Sequence, residues 1–118
     1  IDIVATKNNV YRYIQVKTTY VENGRIYCQI DQDRYDMHVQ SQLRYVIVAR
    51  YNDKGLDRNM YFIFNSQDID RGIYGRYIKQ GMNCVSIKIK FHPQSGAPYL
   101  YDVNECDASY HMNNFKLV

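Results

Sequence analysis

Hydrophobic and polar residues alternate along the first twenty positions of the chain, in two runs that are separated by Asn8 and Asn9. This two-residue period is typical of β-strands and predicts strands over residues 1–7 and 10–20. Asparagine tolerates a positive φ better than any residue except glycine, so the two asparagines predict a two-residue turn. The chain is therefore expected to begin with a β-hairpin.

The predicted register of this hairpin follows by counting back from the turn, and it places Asp2 directly opposite Gln15. Side chains alternate between the two faces of a strand, so Lys17 points the same way as Gln15. The other face is apolar and carries Ile1, Ile3, Ile14 and Val16. One face of the hairpin thus combines a carboxylate, an amide and an ammonium group, whereas the other is suited to packing.

The middle of the chain predicts three further strands. Residues 22–24, Glu-Asn-Gly, predict a turn into a third strand over residues 25–31, which would complete an antiparallel meander. Continuous apolar runs at residues 45–49 and 60–64 predict two neighbouring strands, the first in the middle of the sheet and covered on both sides. The polar residues 52–59 between them predict a loop.

The remaining segments have weaker patterns. Residues 84–91 alternate between apolar and polar positions, which is typical of an edge strand. Residues 33–42 suit either a short helix, with Asp33 as its N-cap, or a surface connection. The apolar residues among the last twenty predict a helix that crosses the sheet.

Composition narrows the class of protein. The 118 residues suffice for one domain with a modest core, and 13 tyrosines, 2 prolines and no tryptophan favour strands. A net charge of +3 permits a nucleic-acid partner without indicating one. The three widely spaced cysteines, Cys28, Cys84 and Cys106, argue against a disulfide framework or a zinc site. With no apolar run of membrane-spanning length and no signal peptide, we expect a soluble, cytoplasmic protein.

The polar face of the hairpin carries the groups that metal-dependent phosphodiester chemistry requires. Hard cations such as Mg²⁺ bind oxygen ligands, often one or two from the protein together with water and substrate phosphate. Asp2 and the side-chain oxygen of Gln15 would supply two such ligands. Lys17 could then hold the attacking water or stabilise the charge that develops on the phosphate.

Asp2 and the tripeptide Gln15-Val16-Lys17 resemble the PD-(D/E)XK nuclease superfamily, in which an acidic residue begins one strand and a (D/E)-x-K tripeptide lies on the next. The strands that follow are similar to those of its small prokaryotic endonuclease-like domains, over about residues 1–70. The resemblance implies an α/β fold in a single domain, residues 1–118, with a mixed sheet that starts antiparallel and few flanking helices. It also implies hydrolysis of DNA with Mg²⁺ or Mn²⁺. Asp2 and Gln15 would bind the metal, and Asp2, Gln15 and Lys17 would be catalytic.

Two features depart from the pattern of that superfamily. Gln15 stands where Asp or Glu is usual, which removes a negative charge and predicts weaker metal binding. The first core helix would precede Ile1, so we expect a domain that is truncated at its N-terminus and that could form a homodimer. Two other functions also fit the sequence. One is an inactive nuclease-like fold that binds DNA or a partner protein, and the other is a small β-rich interaction module with exposed tyrosines.

Other residues are candidates for contacts with nucleic acid. Tyr13 lies on the polar face of the hairpin and could stack on bases or pack within the protein, and Thr19 could donate to a phosphate. Lys88 and Lys90 share a strand face and could contact phosphates, but we favour the interpretation that they protect an edge strand against aggregation. The histidines have no metal-like spacing and are expected to take no part in chemistry: His38, His92 and His111.

Overall fold

The computed structural model describes residues 2–31, 43–66, 79–80, 84–101 and 105–118. Within these residues the strands are β1 (Asp2–Lys7), β2 (Val10–Tyr20), β3 (Arg25–Asp31), β4 (Arg44–Asp53), β5 (Leu56–Asn65), β6 (Lys79–Gln80), β7 (Cys84–Phe91), β8 (Pro98–Leu100) and β9 (Cys106–Asp107). They form two sheets. The first sheet has the strand order β1-β2-β4-β5, and the second has the order β3-β7-β8-β9, with β6 also paired to β7.

The hydrophobic core lies between the two sheets, because each sheet turns one face of alternating apolar residues toward the other. The first sheet contributes Tyr45, Ile47, Ala49, Phe62 and Phe64. The second sheet contributes Ile26, Cys28, Ile30, Ile87, Ile89 and Leu100. On β4 the intervening residues Val46 and Val48 are half-buried, so the run of apolar residues in this strand has one core face and one more open face.

The predicted α/β fold is wrong, since the described part of the chain is mostly β-structure in two sheets. The complete helices within the described residues are short 3-10 helices, Ser109–His111 and Phe115–Leu117. The central position of β4, between β2 and β5, is as predicted. The second sheet covers the core face of β4, so this face is buried without the flanking helices that the resemblance implied.

The predicted antiparallel meander is also wrong, although its turn forms as expected. Glu22 and Arg25 exchange two backbone hydrogen bonds of 3.0 and 2.9 Å, around Asn23 and Gly24 with φ angles of 53° and 70°. After this turn β3 leaves the first sheet and pairs antiparallel with β7. The place beside β2 is taken by β4, which runs parallel to it.

Two other local predictions are wrong. β7 lies between β3 and β8, so it is not an edge strand. The predicted loop at residues 52–59 is instead the end of a β-hairpin, in which β4 and β5 are joined by Lys54 and Gly55 with φ angles of 51° and 87°. Residues 33–42, including Asp33 and His38, lie outside the described residues.

The C-terminal segment lies along the free edge of β5 instead of forming the predicted helix across a sheet. The backbone N–H of Asn113 donates to the Tyr61 carbonyl at 2.7 Å, and Asn113 Oδ1 accepts from the Tyr61 N–H at 3.0 Å. Met112 forms a bridge with Phe62. These contacts satisfy backbone groups of β5 that would otherwise be open to pairing with another chain.

Candidate functional site

The opening hairpin has the predicted register. Asn8 and Asn9 form its turn with φ angles of 51° and 62°, in the left-handed region that asparagine tolerates. β1 and β2 pair antiparallel on either side, and Asp2 is the direct cross-strand partner of Gln15. The structure describes Asp2 by its backbone position, so its place in the site follows from this register.

Gln15 is buried, with 5% of its surface exposed. Its neighbour in the parallel register of β4 is Tyr45, which belongs to the core between the sheets. The hairpin face that was expected to be separate from the packing face therefore borders the core. Burial at this position was not evident from the sequence, because alternation identifies the two faces of a strand but not which sheet will cover each one.

The side-chain oxygen of Gln15 is buried and accepts no hydrogen bond from the residues that the structure describes. A buried oxygen without a partner costs about 1–3 kcal/mol, and a bound water or ion can supply the missing partner. An amide oxygen is a ligand that Mg²⁺ and Mn²⁺ accept, and the residue directly opposite Gln15 in the register is Asp2, whose residue type also offers oxygen ligands. The residues present therefore fit a hard divalent cation.

This candidate metal site would be open, with few protein ligands. No group of three His, Cys, Asp or Glu side chains that could hold a metal occurs among the described residues. Two protein oxygens alone would leave most coordination positions of a six-coordinate cation to water and phosphate oxygens. That arrangement is usual for Mg²⁺ in sites that act on phosphates.

Lys17 lies two residues beyond Gln15 and beside Ile47 of β4 in the register, and its side chain is half-buried. Burial raises the pKa of the Cys28 thiol on β3 to about 11, and the positive charge of Lys17 lowers it by a smaller amount. The register of β2 with β4 places Lys17 on the same face of the first sheet as the core residues Tyr45 and Ile47. Because its pKa is high, Cys28 is a neutral thiol near neutral pH and would not compete for a metal as a thiolate.

The two residues predicted to contact nucleic acid differ in accessibility. Tyr13 is exposed and lies on β2 two residues before Gln15, so its ring is open to a ligand. Thr19 is half-buried, and its hydroxyl donates to the backbone carbonyl of Tyr27 at 3.1 Å. The hydroxyl proton of Thr19 is therefore used within the fold, where it links β2 to β3.

The two described histidines make packing contacts. His111 is buried, its Nδ1 lies 2.8 Å from the Ile63 carbonyl oxygen, and its ring stacks on Phe64 with centroids 4.5 Å apart. The ring of His92 stacks on Tyr99 at 4.1 Å. These contacts give both rings a structural role.

A second feature was missed by the sequence analysis. A cleft of about 450 Å³ opens where the end of β2 meets the start of β3. The residues that line it are Thr19, Tyr20, Glu22, Asn23, Arg25, Tyr27 and Tyr101. The alternation of Arg25 and Tyr27 with Ile26 and Cys28 was a signal that could have identified the outward face of β3, but the sequence did not show what this face adjoins.

Comparison of the chain with protein families, with curated proteins and with solved structures found no match. In the described residues, no helix is long and apolar enough to cross a membrane.

Proposed function

We propose that this protein hydrolyses phosphodiester bonds in DNA with the help of Mg²⁺ or Mn²⁺. The observation that carries the proposal is the buried oxygen of Gln15, which has no partner among the described residues and lies on the residue directly opposite Asp2. An unpaired buried oxygen lowers the stability of the fold, and a cation bound to it would remove this cost.

Asp2 and Gln15 are the residues that hold the cation in this proposal. A bound Mg²⁺ or Mn²⁺ would polarise the scissile phosphate and lower the pKa of a water molecule. The protein contributes the position of the two oxygen ligands, which the short Asn8-Asn9 turn fixes through the register of the hairpin.

Lys17 supplies positive charge in the proposed reaction. Residues two apart on a strand lie roughly 6–7 Å from each other, so a phosphate group held by Gln15 and its cation comes within reach of the flexible Lys17 ammonium group. The ammonium group would stabilise the negative charge that develops on the phosphate. The exposed ring of Tyr13, on the other side of Gln15, would stack on a base of the substrate.

The residue pattern gives additional support to this proposal. Asp2 with Gln15-Val16-Lys17 resembles the acid and tripeptide of PD-(D/E)XK nucleases. The two-sheet architecture differs from the α/β fold of that superfamily. The proposal accordingly depends on the site and not on the fold.

We also infer a reducing, cytoplasmic setting. Cys28 and Cys106, the cysteines whose side chains are described, are both free thiols. Free thiols are typical of proteins that stay in a reducing compartment.

The test is cleavage of plasmid DNA by the full chain with and without Mg²⁺ or Mn²⁺. Asp2→Ala and Lys17→Ala should each lower the cleavage rate by about 10²-fold or more, because each removes a group that acts in the transition state. DNA binding measured in EDTA should change much less. Lys54→Ala, at an exposed turn between β4 and β5, is the matched control and should cleave at the normal rate.

Two outcomes would contradict the proposal. Cleavage that continues in EDTA, or equal rates for the normal protein and Lys17→Ala, would remove metal-dependent hydrolysis at this site. If no form cleaves DNA and all forms still bind it, the protein is a DNA-binding module without nuclease activity.

A further inference from the structure

Part of the outer face of the second sheet, on β3, β7 and the segment around β8, combines basic and aromatic side chains, and its first row ends at Asp107 on β9. Strand registers align Arg25 with Lys90 and Tyr99 in one row, and Tyr27 with Lys88 in the next. Tyr101 extends the second row, since its backbone N–H donates to the Lys88 carbonyl at 3.3 Å. We call this surface the basic-aromatic face, and its members are Arg25, Tyr27, Lys88, Lys90, Tyr99 and Tyr101.

Contacts within the basic-aromatic face hold its side chains in an ordered array. Lys90 Nζ lies 4.3 Å from the ring centroid of Tyr101, and Lys88 Nζ lies 5.6 Å from that of Tyr27. Both lysines are half-buried, so their stems pack on the sheet and their charged ends remain at the surface. Positive charge and aromatic rings thus recur at the spacing of adjacent strands.

Edge protection does not explain these lysines, because β7 lies between β3 and β8 and is not an edge. The cation–π contacts stabilise both lysine side chains, but the pairing of Arg25 with Lys90 costs stability. Arg25 and Lys90 are directly opposed cross-strand partners, and like charges in such positions destabilise a sheet. A bound polyanion would relieve this repulsion, which gives the arrangement a functional rationale.

The cleft at the start of β3 adjoins the basic-aromatic face and shares Arg25, Tyr27 and Tyr101 with it. Tyr20 forms another wall and is 62% exposed, and Tyr27 is 44% exposed. Aromatic walls and an arginine suit a flat, polar, unsaturated ring. Glu22, also in the lining, could accept a hydrogen bond from an exocyclic amino group of such a ring.

We propose that the basic-aromatic face binds single-stranded nucleic acid, with phosphates on Arg25, Lys88 and Lys90 and an unstacked base in the cleft. Charge complementarity selects a polyanion, and the interleaved tyrosines select one whose bases are free to stack. Bases within a duplex are paired and stacked on each other, so they cannot reach the tyrosines. This inference is independent of hydrolysis at Asp2 and Gln15, which lie on the hairpin of the first sheet.

The test is fluorescence anisotropy of a labelled oligothymidine and a labelled oligouridine with the full chain in EDTA, across a series of salt concentrations. The double variant Lys88→Gln/Lys90→Gln should weaken binding about tenfold and reduce the slope of log K against log salt by about 1.4, or roughly 0.7 per lost phosphate contact. Tyr27→Leu should weaken binding about fivefold or more, and Tyr27→Phe should bind normally because it keeps the ring.

The matched control is Lys54→Gln/Lys116→Gln, which removes the same charge from exposed positions away from this face and should stay within about twofold of normal affinity. Circular dichroism of each variant establishes that it is folded. Equal losses in the two double variants, unchanged binding by Tyr27→Leu, tighter binding of a matched duplex, or no binding of single strands would each overturn the inference. EDTA prevents metal-dependent hydrolysis, so these outcomes do not depend on nuclease activity.

Discussion

Gln15 combines a cost to stability with a proposed role in metal binding, and substitutions at this residue separate the two. Gln15→Leu keeps an apolar group of similar size and removes the buried oxygen that has no partner among the described residues. We expect this variant to be as stable as the normal protein or more stable by about 1 kcal/mol in urea unfolding, and to give no heat with Mn²⁺ in calorimetry. Gln15→Glu should bind Mn²⁺ more tightly and be less stable than normal without it.

Destabilisation by Gln15→Leu would contradict the expected result. A loss of more than about 1 kcal/mol would mean that the amide makes hydrogen bonds that hold the fold together. The basis for a metal ligand at this position would then be gone.

Because the Cys28 thiol is buried, we expect the protein to lose stability at high pH. Burial raises its pKa from 9.0 to about 11, so the folded protein holds the thiol proton more tightly than the unfolded chain does. The corresponding stability is complete below pH 9 and is lost as the pH rises toward 11, by about 2 kcal/mol. Urea unfolding at pH 8 and pH 11 should show this extra loss in the normal protein and not in Cys28→Ala, which lacks the thiol. Equal pH dependence in both proteins would contradict the burial of this group.

At the level of elements, the C-terminal segment protects the free edge of β5 through Asn113, whose φ is 53°. Asn113→Ala should lower the free energy of unfolding by about 1 kcal/mol more than Asn113→Gly, because only glycine tolerates this φ without strain. Asn114 has an ordinary φ of −96°, so there the order should reverse, with glycine the more harmful substitution. Thermal unfolding of the four variants measures both differences, and the same order at the two positions would contradict the left-handed backbone of Asn113.

Elements defined by short-range geometry could be predicted from the sequence. The Asn8-Asn9 turn fixes the pairing of its flanking strands, and this gave the Asp2–Gln15 pair correctly. The Glu-Asn-Gly turn at residues 22–24 was also correct, but the partner of β3 was not, because the strand after this turn joins the other sheet and a turn residue pattern does not specify that choice. The alternation in β7 is the same for an edge strand as for the middle strand of a sheet with one open face.

At the level of the whole molecule, the class of fold could not be derived from the apolar strands. A strand such as β4 requires a covering layer, and helices or a second sheet meet that requirement equally well. The tripeptide resemblance favoured helices, whereas the described residues use a sheet whose outer face is partly basic and aromatic. The alternation within β7 places Lys88 and Lys90 on one strand face. Arg25 and the tyrosines complete the basic-aromatic face only through pairing between distant strands.

The chain passes repeatedly between the sheets: β1 and β2 lie in the first, β3 in the second, β4 and β5 in the first, and β6 to β9 in the second. Neither sheet is built from one continuous segment of the chain, so neither can form completely until distant segments have come together. Such non-local topology slows folding and favours all-or-none unfolding. In a cooperative unit of this kind, a ligand bound to one sheet stabilises the other as well. A cation at the hairpin should therefore protect amides of the second sheet from hydrogen exchange, at a distance from any contact with the metal.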